Sequence, residues 1–275
     1  MKKYILIFIA TLLPLTCLAG SIQDMHRAVI ARKAVSDPCS DTSPGDPGDI
    51  LCESFENEAD GLVDASWDLT TDDEGAGCVI SVKQAHSGDF GCSTRGRYYL
   101  DIDTDDAIEC AARNPVPASE DPSYYAFSIK VVDHGLSAGQ DDYVFQNSVL
   151  KWGIRIMNDA GTLKWSLYHR DKTDAIEFDN GTNITLGTWY RHRLKIDADC
   201  GTAGQGDIHD CIQWWIAEDD GVLSEQAISD DSTNANQTTS ILQIGDGRPD
   251  PEDAIHIHVD NVLLDDDDTG LDTCN

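Results

Sequence analysis

The sequence predicts an all-β chain, an antiparallel two-sheet sandwich of the jelly-roll kind, stapled by disulfides. Three observations predict it. Apolar and polar residues alternate with period two through one short segment after another, as the pleat of a strand requires. Gly, Asn, Asp and Ser punctuate those segments, and almost no helical period competes with them. Eight cysteines remain once the leader described next is set aside, an even count in an exported chain.

Residues 1–20 have the layout of a secretory leader. Lys2 and Lys3 supply the positive end, Tyr4 to Leu15 the apolar run, and Cys17-Leu18-Ala19-Gly20 the small residues for cleavage. The run is shorter than the roughly 20 residues that a membrane-spanning helix needs. Acylation of Cys17 is the lipoprotein alternative, with Thr16 larger than the usual residue before it. The expectation is a bacterial-type exported protein, secreted, periplasmic or on the cell surface, with no membrane span.

Residues 21–49 form an N-terminal segment and linker. Ser21 to Val35 suits one short helix with a basic side, and DPCSDTSPGDPGD after it is too rich in Pro, Gly and Asp for regular structure. The jelly-roll domain is expected over 50–275. ILCESFEN, CVISVKQ, RGRYYLDID and YYAFSIKVV read as its first strands.

The block from Val149 to Ala217 reads as four strands of one half-buried sheet. Leu150, Trp152, Ile154 and Ile156 alternate with Lys151, Gly153, Arg155 and Met157. Leu163, Trp165 and Leu167 alternate with Lys164, Ser166, Tyr168 and Arg170. Tyr190, Leu194 and Ile196 alternate with Arg191, Arg193 and Lys195, and Ile212, Trp214 and Ile216 with Gln213 and Trp215. Turns are expected at Asn158–Gly161, Asn180-Gly181 and Leu186–Thr188. Trp152, Trp165, Trp189 and Trp214 are expected in the core. SILQIGD and AIHIHVDNVLL complete the strands, and DDDDTGLDTCN is an acidic tail.

Among the cysteines, Cys200 with Cys211 and Cys78 with Cys92 are close enough in sequence for local staples, and Cys39 with Cys274 would tie the two ends. Spacing alone does not choose among the pairings. The chain has 19 Lys+Arg against 50 Asp+Glu, a net charge of −31, which disfavours nucleic acid and anionic membranes as partners.

Short motifs at both ends of the domain carry a family resemblance. Phe55-Glu56-Asn57 with Trp67, Ala85-His86-Ser87-Gly88 and Val259-Asp260-Asn261-Val262 resemble the opening, third-strand turn and closing strand of bacterial carbohydrate-binding jelly rolls. Gly187-Thr188-Trp189-Tyr190 and Ile212-Gln213-Trp214 resemble later strands of laminin-G-like and concanavalin A-like lectin and glucanase domains. The resemblance implies a structural calcium ion held by Glu56 and Asp260, with oxygens near Ser87-Gly88-Asp89. By contrast, Asp101–Glu109 only imitates an EF-hand loop, lacking its Gly and closing Glu.

Eight of the lysines and arginines lie between Lys151 and Lys195. Seven fall on the polar side of the expected strands: Lys151, Arg155, Lys164, Arg170, Arg191, Arg193 and Lys195. Tyr168, Gln213 and Trp215 share that side, and the alternation of AIHIHVDN turns His256 and His258 outward. If these strands form one concave sheet, the face suits a polysaccharide, above all an acidic one. Aromatic rings stack on sugars, and arginine forks pair with carboxylate or sulfate. The expected ligand contacts are Arg155, Tyr168, Arg170, Arg193, Gln213, Trp215, His256 and His258.

Several enzyme classes are disfavoured. Glu177-Phe178-Asp179 lacks the second acid of a retaining glucanase strand, and no G-x-S-x-G is present. A zinc hydrolase would rest on His256-Ile257-His258 with a third ligand sought at His209 or Asp210. A polysaccharide lyase needs a Tyr or His base and a group neutralising the uronate, for which Tyr168, His192, His256, His258, Arg155 and Arg170 are the right types. The leading expectation is a calcium-stabilised carbohydrate-binding protein. The alternatives are a lyase acting on a uronate-rich glycan and a cell-surface structural or adhesion protein.

Overall fold

The structure, a computed structural model, describes residues 49–53, 55, 68–71, 78–84, 98–104, 110–114, 123–147, 152–170, 176–197, 210–219, 221–232, 241–246 and 254–265; for 49–53, 68–71, 227–232 and some strand ends it describes the backbone alone. The chain divides into two units, Met1–Ser36 and Asp37–Asn275, and every described residue belongs to the second. The expected leader, helix and linker lie outside the described residues.

Those residues form fifteen strands, numbered in chain order, in two antiparallel sheets. Sheet A runs β13 (Ser224–Ser232), β12 (Asp210–Glu218), β11 (Trp189–Asp197), β6 (Ser123–His134), β15 (Ile255–Asp265), β4 (Tyr98–Thr104) and β3 (Cys78–Gln84). β1 (Asp49–Glu53) pairs with the last residues of β15. Sheet B runs β10 (Ile176–Asn183), β9 (Thr162–Arg170), β8 (Trp152–Asp159), β7 (Asp141–Asn147), β14 (Leu242–Asp246), β5 (Cys110–Asn114) and β2 (Asp68–Thr71). No helix among the described residues is long and apolar enough to cross a membrane.

Period-two alternation is the reason these segments pair as they do. Leu100, Ile102, Phe127, Ile129, Leu194, Trp214, Ile257 and Val259 of sheet A are buried in one core with Ile154, Ile156, Trp165, Leu167, Phe145 and Ile244 of sheet B. Aromatic pairs cross it: Phe127 stacks on Phe145 with ring centroids 3.6 Å apart, and Tyr125 meets Trp152 at 4.7 Å. Such pairs add about 0.5–1.5 kcal/mol each beyond the area they bury.

Three expectations need correction. The block from Val149 to Ala217 is not one sheet: β8 and β9 lie in sheet B, whereas β11 and β12 lie in sheet A. Asn180-Gly181 is not a turn but the inside of β10, where the register against β9 shifts between Asn180 and Asn183. Cys78 is bonded to Cys110, not to Cys92. This bridge joins β3 of sheet A to β5 of sheet B. Closing a loop of sequence separation 32 stabilises the fold by about 3–4 kcal/mol in the chain-entropy account. The suggested Cys39–Cys274 and Cys200–Cys211 pairs involve residues outside the described ones.

Candidate functional site

The outer faces of the two sheets carry the chemistry, and they face away from each other across the core. The residues expected to share one groove are therefore divided. Arg155 and Tyr168 lie on sheet B; Arg193, Gln213, Trp215, His256 and His258 lie on sheet A. Arg170 ends β9, where only the backbone is described, and Lys151 and Glu56 lie outside the described residues. Tyr168 and the two histidines thus cannot work on one substrate atom.

On sheet B the strand registers line up one row. Phe178 (β10), Tyr168 (β9), Gly153 (β8), Gln146 (β7), Gln243 (β14) and Arg113 (β5) are successive cross-strand partners. At a strand spacing of 4.7–4.9 Å, the row extends about 24 Å. Arg113 Nε donates to Gln243 Oε1 at 3.1 Å. Gln146 Oε1 and Gln243 Nε2, an acceptor and a donor on neighbouring strands, are buried and find no hydrogen-bond partner among the described residues. Leaving such a group unmade costs about 1–3 kcal/mol. Gly153 keeps the row closely packed, because a Cβ there would sit 2.9 Å from Gln146 Cβ.

Beside this row, Arg155 pairs with Asp141 and lies 3.6 Å over the Phe178 ring. Tyr168 meets Tyr143 edge-on at 5.4 Å. Lys164 is held by Asp159 at 2.6 Å. The basic residues read from the sequence are therefore partly spent on internal pairs. Sequence reasoning missed Gln146, Gln243 and Arg113. Each is the outward residue of an alternating strand, but only cross-strand register shows that they form a row.

On sheet A, a second group forms around β15. His256 and His258 are two residues apart on that strand, and Asp101 of β4 is the cross-strand partner of His258. Both histidines approach the same carboxylate oxygen: His256 Nε2 lies 2.8 Å and His258 Nε2 3.0 Å from Asp101 Oδ1. Burial pulls the Asp101 carboxyl upward, but the hydrogen bonds and charges of the two imidazoles hold it well below the usual carboxylate range. The hydrogen bond to Asp101 raises His256. Burial lowers His258, aided by the charge of Lys130 and opposed by Asp101.

His258 stacks on Tyr99 at 4.2 Å, and Tyr99 meets Trp189 edge-on at 6.2 Å. Lys130 Nζ sits 5.0 Å from the Trp189 ring and 5.7 Å from the Tyr99 ring. Trp189 is therefore buried on the outer side of sheet A with Tyr99, not in the core with the other three tryptophans. Arg193 lies 5.1 Å over Trp215, its partner across β11 and β12. Arg191 Nε donates to the carbonyl of Asp219, fixing the turn after β12.

Asp260 is fully buried on β15, and its Oδ1 accepts the backbone N–H of Asn261 at 2.7 Å. His192 faces inward, stacked on Phe127 at 5.0 Å, and takes a 3.3 Å hydrogen bond from Trp214 Nε1 on Nδ1. Burial pushes its pKa down to about 3, so it is a neutral core residue rather than a general base at the surface.

No protein-family model matches the chain, and no curated protein sequence matches it. Among solved structures, the catalytic domain of the glycoside hydrolase family 131 protein from Coprinopsis cinerea is similar at TM-score 0.50 and 14% identity, covering 78% of this chain and 93% of that one. The botulinum neurotoxin serotype C1 binding domain is similar at TM-score 0.51 and 11% identity, covering 82% of this chain and 51% of that one. At such identities the likeness speaks to architecture alone: the protein has a jelly-roll fold, a two-sheet all-β sandwich.

Proposed function

We propose that this protein is an exported carbohydrate-binding jelly roll that takes a polysaccharide along the outer face of sheet B. The observation that carries this reading is the row from Arg113 to Phe178, with its adjacent orphan acceptor and donor on Gln146 and Gln243. A sugar hydroxyl is both donor and acceptor, so one hydroxyl admitted between the two amides, which are buried in the ligand-free chain, would satisfy both. Phe178, exposed at one end of the row, offers ring surface, and Arg113 at the other offers a guanidinium for a uronate or a ring oxygen. The likeness in fold to a glycoside hydrolase catalytic domain supports a carbohydrate ligand.

The test is retention of the full chain on immobilised pectate, alginate, glucuronan, sulfated glycan and cellulose, with absorbance of new double bonds read in parallel. Retention without cleavage is expected. The double substitution Gln146→Leu, Gln243→Leu should weaken retention about tenfold or more while stability changes little, because removing two unsatisfied buried groups offsets the lost hydrogen bond from Arg113. New double bonds abolished by Tyr168→Phe would make the protein a lyase. Neither signal would sink the glycan reading and favour a surface structural or adhesion role.

The proposal includes calcium at Asp260 and Glu56. Asp260 is fully buried, and its carboxylate is of the hard oxygen type that calcium takes. Chelation with EGTA should lower the melting temperature, and added calcium should restore it. An unchanged melting curve would remove the ion from the reading.

A further inference from the structure

We propose that Asp101, His256 and His258 form a site for one divalent transition-metal ion on the outer face of sheet A, with Zn2+ as the ion that tests it. This site is separate from the glycan row, which lies on the other sheet; the expected calcium ligand Asp260 is two residues beyond His258 on the same strand. One donor atom from each residue lies within 4.8 Å of the other two.

The backbone makes this arrangement. Residues two apart on a strand point to the same side, so His256 and His258 stand together on β15, their rings 5.2 Å apart. Asp101 comes from β4, opposite His258 in the register, and its Oδ1 lies between the two Nε2 atoms. Zinc binds imidazole nitrogen and carboxylate oxygen at about 2.0–2.2 Å. Its donors then stand about 3–4 Å from one another, so these need only small movements to receive it.

The donor set selects the ion class. Two imidazoles and one carboxylate suit Zn2+, Fe2+, Co2+ or Ni2+, whereas calcium takes oxygens throughout. Three protein ligands leave room for water as a further ligand, as in open zinc sites. The His256 side chain is 27% exposed, so the ion has a way in from solvent. His258 is held by its stack on Tyr99, which limits the ordering that binding must supply.

The surrounding charge is mixed, and it provides a test. Asp103 of β4 and Asp133 of β6 are the cross-strand partners of His256, and both favour a cation. Lys130 of β6 is the partner of His258 and opposes one. The competing explanation is a hydrogen-bonded His–Asp–His cluster that binds no metal. That explanation predicts nothing for zinc when Lys130 changes.

The experiment is calorimetric titration of the metal-stripped, disulfide-intact full chain with Zn2+, with the visible spectrum of the Co2+ form as a second readout. One equivalent of Zn2+ should bind, and Co2+ should show ligand-field bands of a four- or five-coordinate site. His256→Gln and the near-isosteric Asp101→Asn should each weaken zinc by about 100-fold or more and remove the bands, more than the 10–100-fold typical of outer-shell changes. Lys130→Met, which conserves volume, should tighten it several-fold. Absence of stoichiometric binding overturns the proposal, as does binding that His256→Gln and Asp101→Asn leave unchanged. A Lys130→Met protein that folds and binds zinc no more tightly also counts against it.

Discussion

His192→Phe removes most of the acid sensitivity that this core builds in. His192 is completely buried between Phe127, Trp165 and Trp214 and stays neutral down to about pH 3. In the unfolded chain the imidazole takes its proton near pH 6.5. Between those values the unfolded state binds the extra proton, so stability is full above pH 6.5 and falls as pH falls, by about 1.4 kcal/mol per unit. From pH 6.5 to 3 the loss attributable to this residue is roughly 5 kcal/mol. The phenylalanine variant forfeits the hydrogen bond from Trp214, about 1 kcal/mol, so it is weaker than wild type at pH 7. It overtakes wild type just below about pH 6. Denaturant midpoints at pH 7, 5.5 and 4 for both proteins check this; parallel pH profiles would mean that His192 is not held neutral.

Gly245→Ala is expected to be among the most damaging single-methyl changes in the chain. Gly245 sits in β14 at φ 99°, a region that side chains rarely enter, and its Cβ would lie 2.5 Å from the carbonyl oxygen of Cys110. Ile102 Cδ1 at 3.2 Å and Ala111 Cα at 3.3 Å close the other sides. Backbone strain and overpacking each cost about 1–3 kcal/mol. Together they give roughly 3–5 kcal/mol, a large share of a typical domain's stability. Guanidinium unfolding of the purified variant, or its failure to accumulate folded, measures the effect. A loss under 1 kcal/mol would show that β14 moves away from β5 at little cost.

The parts of this fold that were legible in the sequence are those set by the pleat. Trp152, Ile154 and Ile156 face inward and Arg155 outward because alternation is local, and the same holds for Ile255, Ile257 and Val259 against His256 and His258. Sheet membership was not legible, because it is decided by partners far away in the chain: β11 pairs with β6, and β15 with both β6 and β4. The expected single groove failed for that reason. Other strands escaped notice as well. β13 is largely polar, as edges exposed to water tend to be, and β7 carries a bulge between Tyr143 and Phe145 that breaks its period. The outward histidines were visible from sequence, but their carboxylate was sought near residue 209. It comes from Asp101 instead, in a segment that reads only as an acidic strand end. Gln146 and Gln243 carry no sequence signal as a pair; two strands must be placed side by side before they meet.

The position of β15 has a consequence for how the chain is made. The last of the described strands lies between β6 and β4 and also receives β1. The runs from β7 to β10 and from β11 to β13 join neighbours in sequence, and such local hairpins close quickly. Sheet A, however, stays cut in two until β15 arrives, with the facing edges of β6 and β4 open to any other strand. A nascent or truncated chain that stops before Ile255 is therefore an aggregation-prone half-structure. A stop codon or frameshift ahead of Ile255 would cost the whole sandwich, not just one strand.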